Sequence, residues 1–275
     1  MEQQKKMYDA GQVQAELLRK VKEFGADLAG FANVADLRNG PSEQLFPRMK
    51  DHARDKYAEI ITTGLEHGQV KWNDEEKCVL VYALAHPEEK PEMDWWYGEI
   101  NPPGNKLLME ISKKMKAYIK ENMPDVIFYS KPYHVERGGV YLKDAAVTAG
   151  IGCIGKNNLL VTPEFGPRVR LRAIGLSLDL PSTGAIGFDP CKNCAAPCRK
   201  ACPQVAFDKS VYTEEETGLQ RLPGRDGFYY RESCNHEMLE NEETAPLELA
   251  EEYSLDPLPI IRYCRACELN CVVGK

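Results

Sequence analysis

Eight of the ten cysteines fall between Cys191 and Cys271, in spacings that suit thiolates gathered around metal. The first run reads Cys191-x2-Cys194-x3-Cys198-x3-Cys202-Pro203, one residue longer between its second and third cysteines than the bacterial ferredoxin run. Cys234 follows alone, and Cys264-x2-Cys267-x3-Cys271 completes the set. In two-cluster ferredoxins the cysteine before the proline ligates the other cluster, because the first three already wrap one cube and the chain then leaves it. That logic assigns Cys191, Cys194, Cys198 and Cys271 to one [4Fe–4S] cluster and Cys202, Cys234, Cys264 and Cys267 to a second, giving one-electron chemistry. Zinc is the alternative. Cys191 and Cys194 with Cys264 and Cys267 have the form of a zinc ribbon, but that reading leaves four further cysteines, one of them before a proline, without a role. Cys78 sits in an apolar run and reads as a small buried hydrophobe, whereas Cys153 lies in a glycine-rich loop.

That loop, Gly150-Ile-Gly152-Cys-Ile-Gly155, satisfies G-x-G-x-x-G but not its context. A dinucleotide site needs a strand before the glycines and a helix after them, since that helix's N-terminus holds the pyrophosphate. Here a helical pattern precedes the loop, and Lys156 to Pro167, with two asparagines, two prolines and a glycine, cannot open a helix.

The elements that position these residues follow from apolar periodicity. Val13, Leu17, Leu18, Val21 and Phe24 make one helical stripe ended by Gly25, and Leu107, Leu108, Ile111, Met115, Tyr118 and Ile119 make a second, ended by Pro124. A third helix is predicted over 142–149. Strands are predicted over 28–34, 78–85, 126–129 and 169–180. Pro181 to Gly184 marks a break, beyond which cysteines, prolines and acidic runs replace the periodicity. A domain boundary is therefore expected near 185, and the acidic stretch 240–252 reads as a solvated helix face or loop. The class is α+β or α/β-like.

The 275 residues are 43% hydrophobic and 28% charged, with a net charge of −7, which describes a globular chain and disfavours non-specific binding to nucleic acid. The amino terminus, Met-Glu-Gln-Gln-Lys-Lys, leads into a charged amphipathic stretch, and there is no twin-arginine pair or long apolar run. A cytoplasmic protein without a membrane span is expected.

Residues 144–167, DAAVTAGIGCIGKNNLLVTPEFGP, resemble the loop shared by epoxyqueuosine reductases and corrinoid reductive dehalogenases: Ala-Gly-hydrophobic-Gly, then Gly-Lys-Asn, then an apolar pair. The order of the cysteines is similar to the same family's ferredoxin module, and Gly25-Ala-Asp-Leu-Ala-Gly-Phe-Ala to its amino-terminal segment. The resemblance implies a nitroreductase-like cobalamin-binding domain, residues 1–185, followed by a small ferredoxin-like domain with two [4Fe–4S] clusters, residues 186–275. It also implies base-off cobalamin without a protein ligand to cobalt. No Asp-x-His-x-x-Gly motif is present to supply one, and His52, His67, His86, His134 and His236 all lack that spacing.

Aligned on Gly150 and Gly152, Glu136 falls where the epoxyqueuosine reductases carry a proton-donating aspartate near cobalt, although Arg137-Gly138-Gly139 replaces the Thr-Gly-Pro of that family. Such a donor would need burial to hold its proton; the alternative is a surface Glu–Arg pair. Tyr133 and Tyr141 are candidate phenol donors, or ordinary packing residues. Gly152, Cys153, Lys156, Asn157 and Asn158 are candidates for contact with the corrin amides or nucleotide tail, against a role in shaping the loop. Cys153 replaces the aromatic usual in this loop. Arg168, Arg170 and Arg172 alternate and so share a side, where the row meets the cofactor phosphate, through Arg170 in particular, or simply faces solvent. Trp95-Trp96-Tyr97 covers a pocket or forms an interface.

The implied activity is a cobalamin-dependent iron–sulfur reductase. Electrons from an external donor of ferredoxin or flavodoxin type bring cobalt to its nucleophilic state and remove oxygen or halide from a small-molecule substrate. Members acting on tRNA extend past the clusters with a helical-repeat domain, whereas this sequence stops at Lys275 and is acidic, so tRNA is not the expected partner. The alternative is an electron-transfer or corrinoid-handling protein without a substrate of its own.

Overall fold

In the computed structural model, residues 8–38, 40–46, 62–66 and 68–275 are described; the first seven residues, His52 and His67 lie outside them. In chain order the elements are α1 (Ala10–Glu23), β1 (Leu28–Asn33), α2 (Val34–Leu37), α3 (Pro41–Leu45), β2 (Cys78–Ala85), β3 (Trp96–Tyr97), α4 (Pro103–Asn122), β4 (Phe128–Ser130), α5 (Leu142–Thr148), β5 (Cys153–Ile154), β6 (Leu160–Val161) and β7 (Val169–Leu176). There follow α6 (Pro197–Lys200), α7 (Glu214–Thr217), α8 (Arg231–Glu243), β8 (Leu247–Glu248), β9 (Leu258–Ile261) and α9 (Ala266–Leu269).

The main sheet has the order β1-β2-β7-β4, and every pairing among the described strands is antiparallel, so the class is α+β. β2 is central and buried over Cys78 to Ala83. Its side chains alternate between two cores. Cys78, Leu80 and Tyr82 pack with Leu17 and Val21 of α1 and with Leu108, Ile111, Met115 and Ile119 of α4. Val79 and Val81 face Ala145 and Ala146 of α5 and Val34 and Leu37 of α2. Each fully buried aliphatic side chain contributes about 1.5–3 kcal/mol of burial free energy, so this three-layer arrangement is the rigid body of the molecule.

β7 stops at Leu176, short of the predicted Leu180, and the strand predicted over 126–129 forms over Phe128–Ser130. The chain instead bends so that Thr183 lies along β1: the Phe31 amide donates to Thr183 Oγ1 and the Thr183 amide to the Phe31 carbonyl, each at 2.8 Å. No helix or strand forms between β7 and α6.

The cysteine-bearing segment is tied to this body in two ways. Trp96 and Tyr97 pair with Ile261 and Ile260, making a three-stranded sheet of order β3-β9-β8; the Trp-Trp-Tyr run is therefore interface, not pocket cover. Beside it lies a buried ionic network. His86, just past β2, sets Nδ1 2.5 Å from Asp94 Oδ2 and Nε2 3.5 Å from Glu268 Oε1. Arg170 of β7 pairs with Asp94. Arg265 reaches Asp94 Oδ2 at 3.2 Å and pairs with Glu268, while its Nη2 donates to the His86 carbonyl at 2.8 Å. His86, Asp94 and Glu268 bring three ligand-type atoms within 4.8 Å of one another, but the two guanidinium groups already balance the two carboxylates.

Burial works against the Asp94 carboxylate, but the hydrogen bond from His86 and the charges of Arg170 and Arg265 outweigh it and hold its pKa below the usual value. A depressed carboxylate stabilises the fold above its unfolded pKa, about 3.9, and loses that contribution as pH falls through the folded value. Asp94→Asn is expected to cost about 3–5 kcal/mol at pH 7, because it leaves buried guanidinium charge uncompensated. Chemical unfolding from pH 7 to pH 3 should show the gap from the parent protein closing below about pH 4.

Candidate functional site

Cys191, Cys194, Cys198 and Cys271 line one small cavity, together with Lys156, Asn157 and Val161. Two short helices make this possible. α6 carries Cys198, α9 places Cys271 just beyond its end, and Pro197 starts α6 where a missing N–H costs nothing. The thiols act on one another. Burial pushes Cys198 up, and the charges of Cys271, Cys191 and Cys194 push the same way. The other four gather likewise: burial raises Cys267, with Cys234 and Cys264 adding like charge, and Cys264 lies within electrostatic reach of Cys234 and Cys202. Cys234 is also raised by burial, although Tyr229 donates a hydrogen bond to its sulfur and opposes the rise. Burial opposes the charged form of Cys198, Cys234, Cys264, Cys267 and Cys271, an opposition that a bound cation or cluster would remove. Both groups therefore fit a tetrathiolate-bound centre.

The glycine-rich loop adjoins the first group. Gly152 is required by the chain itself, since a Cβ there would lie 2.3 Å from the Val161 carbonyl oxygen across the β5–β6 hairpin. Cys153, on β5, is pushed up to about 11 by burial and by the charge of Cys191, with a smaller contribution from Cys271. Lys156 donates to the Cys194 carbonyl at 3.0 Å. Asn157 is buried, accepts from the Leu159 amide at 3.3 Å and donates to the Cys267 carbonyl at 3.4 Å. Asn158, with a left-handed φ of 58°, accepts from the Gly224 amide at 3.0 Å. The structure thus gives the side chains expected to meet a corrin partners in the cysteine-bearing segment. Arg170 is held by Asp94 and by Asn105, 2.8 Å away, and Arg168 is buried, so the arginine row does not face solvent.

Glu136 stands elsewhere, on a short 3-10 turn, Val135–Arg137. Gly138 closes the turn with a φ of 95°, and a Cβ on Gly139 would lie 2.4 Å from the Pro132 carbonyl oxygen, which explains the Gly-Gly found in place of Gly-Pro. The root of this loop is fixed by Lys131, whose ammonium lies 2.8 Å from Glu76 in a fully buried ion pair. Tyr133 is 68% exposed and stacks edge-on against His134. The Tyr141 hydroxyl already donates to the Gly68 carbonyl at 2.8 Å; burial raises its pKa, and the charge of Glu136 raises it further. Tyr141 lines a small cavity with Glu43, Val70, Trp72 and Asp144.

Over 242 residues the chain is 24% identical to the epoxyqueuosine reductase of Bacillus anthracis, covering 80% of this chain and 59% of that protein. The chain is thus similar to epoxyqueuosine reductases over most of its length. It is also 31% identical over 83 residues to the tetrachloroethene reductive dehalogenase of Sulfurospirillum multivorans, covering 29% of this chain and 16% of that one. An epoxyqueuosine reductase solved with an epoxyqueuosine-modified tRNA-Tyr stem loop superposes with a TM-score of 0.63 at 18% identity, over 97% of this chain and 66% of that chain, which shows a shared fold. No family model matches. The chain spans less than two thirds of the length of these relatives.

Sequence reasoning missed the ionic network and the Lys131–Glu76 pair. The signal for the first was Arg265 and Glu268 interleaved with Cys264 and Cys267 at a spacing of three; for the second there was none, since Lys131 and Glu76 are distant in sequence and each reads as a surface residue. Cys271→Ser should remove about four irons of the about eight carried after anaerobic reconstitution, and Cys234→Ser the other four, as read by iron and sulfide determination.

Proposed function

We propose that the chain is an iron–sulfur oxidoreductase with two [4Fe–4S] clusters in residues 186–275, working with a corrinoid at residues 1–185 to remove oxygen or halide reductively from a small-molecule substrate. The carrying observation is that the β5–β6 hairpin, whose glycine loop resembles the corrin-binding loop of the relatives, forms a wall of the cavity lined by Cys191, Cys194, Cys198 and Cys271. An electron held at that site lies beside the loop. Cys264 of the other group is exposed, which supports entry there from an external donor of ferredoxin or flavodoxin type.

The clusters supply one-electron storage, and a bound corrinoid a nucleophilic metal. The two cysteine groups fit the clusters; the corrinoid rests on the likeness of the glycine loop to that of the relatives. Glu136 is the proposed proton donor, with Lys131 holding the root of its loop through Glu76. One solved relative carries a tRNA stem loop; the net charge of −7 argues for a small molecule here. No helix of the described residues is long and apolar enough to cross a membrane, and the reducing cytoplasm is the proposed compartment.

One observation favours a second reading, an electron-transfer protein serving a partner enzyme: Lys156, Asn157, Asn158 and Arg170 are all engaged with protein groups. Anaerobic reconstitution with iron, sulfide and hydroxocobalamin separates the two. About eight irons and a base-off Co(II) EPR signal are expected, with turnover lowered about 10²–10⁴-fold by Glu136→Gln while the metal content is unchanged. Zinc in place of iron overturns both readings. Eight irons without retained cobalt, or undiminished electron delivery to a partner by Glu136→Gln, leaves the carrier.

A further inference from the structure

Three arginines meet where the cysteine-bearing segment joins the main sheet, and two of them are balanced. Arg170 and Arg265 share the two carboxylates of Asp94 and Glu268. The third, Arg168, is 6% exposed and has no carboxylate partner among the described residues. Its guanidinium donates instead to backbone carbonyls: Nη1 to Glu268 at 3.4 Å and Cys271 at 3.5 Å, and Nη2 to Val273 at 2.5 Å. The first belongs to α9 and the other two to the turn after it, which carries Cys271 and forms part of the wall of the four-cysteine cavity.

A buried guanidinium with only neutral acceptors is costly unless a nearby anion compensates it. A [4Fe–4S] cube held by four thiolates is such an anion: a dianion when oxidised, a trianion after accepting one electron. Resting on the two-cluster reading above, we propose that Arg168 is a positioning residue that clamps the Cys271 turn and, through its uncompensated charge, raises the reduction potential of the cluster held by Cys191, Cys194, Cys198 and Cys271. One electron enters the cube and no bond is made or broken; the added negative charge is what Arg168 stabilises.

The test is a redox titration of the anaerobically reconstituted full chain, with dithionite as reductant and EPR detection, on the parent protein, Arg168→Gln and Arg168→Lys. In Arg168→Gln the reduction constant of one cluster should fall at least tenfold, equivalent to 59 mV for one electron, while the other stays within twofold. Arg168→Lys, which keeps the charge but not the three-carbonyl clamp, should stay within about threefold of the parent at both. Arg168→Gln with eight irons and both constants unchanged overturns the proposal, as does a tenfold fall in Arg168→Lys. Should Arg168→Gln fail to hold its iron, Arg168→Lys decides by the same threshold. Absence of iron in the parent protein overturns the cluster reading itself and is distinguished by metal analysis.

Discussion

Burial makes an anionic thiolate unfavourable, and gathering four of them makes it worse, yet the second part of this chain gathers eight. The helices there cannot compensate. α6 and α9 have four residues each, far below the length at which a helix is stable alone, and α8 buries none of its thirteen residues. Few apolar side chains close the gap. Cohesion of this segment has to come from whatever neutralises the thiols, and from its attachments to the main sheet. Its structure and its capacity for electron chemistry thus share one source.

The attachments account for the placement of the polar residues at the seam. β7 supplies neighbouring arginines with different tasks: Arg170 balances Asp94 in the ionic network, and Arg168, one residue before the strand, grips the turn that carries Cys271. The β5–β6 hairpin does the same from the other side, with Lys156 and Asn157 donating to carbonyls of cysteine residues. Backbone carbonyls of the cysteine segment are therefore held by side chains of the sheet body. That fixes the position of the cavity relative to the glycine loop better than a flexible linker could.

Where one periodicity decided an element, the sequence was readable: the stripe of α1, the continuous apolar run of β2 and the stripe of α4 each occur where the pattern puts them. The ferredoxin-like spacing predicts that Cys271 joins the first run as a ligand, and these four residues line one cavity. What could not be read depends on partners distant in sequence. β3 is two residues long and exists only because β9 pairs with it. Alternation placed Arg168 and Arg170 on one side of a strand, but only the tertiary neighbours separate a balanced charge from an unbalanced one. The loop of Lys156, Asn157 and Asn158 reads equally as a ligand site or as a docking element, because amides bond to either.

Cys271 closes a cavity that Cys191 opens, and β9 completes a sheet begun by Trp96 and Tyr97. During synthesis the amino-terminal body folds first, so Trp96 and Tyr97 have no partner strand until the ribosome has made β9. On the proposed two-cluster reading no tetrathiolate site is complete until the last cysteines emerge, so metal delivery would be a late event, and a nascent chain stalled before α9 would leave unpartnered thiols open to whatever metal the cell offers.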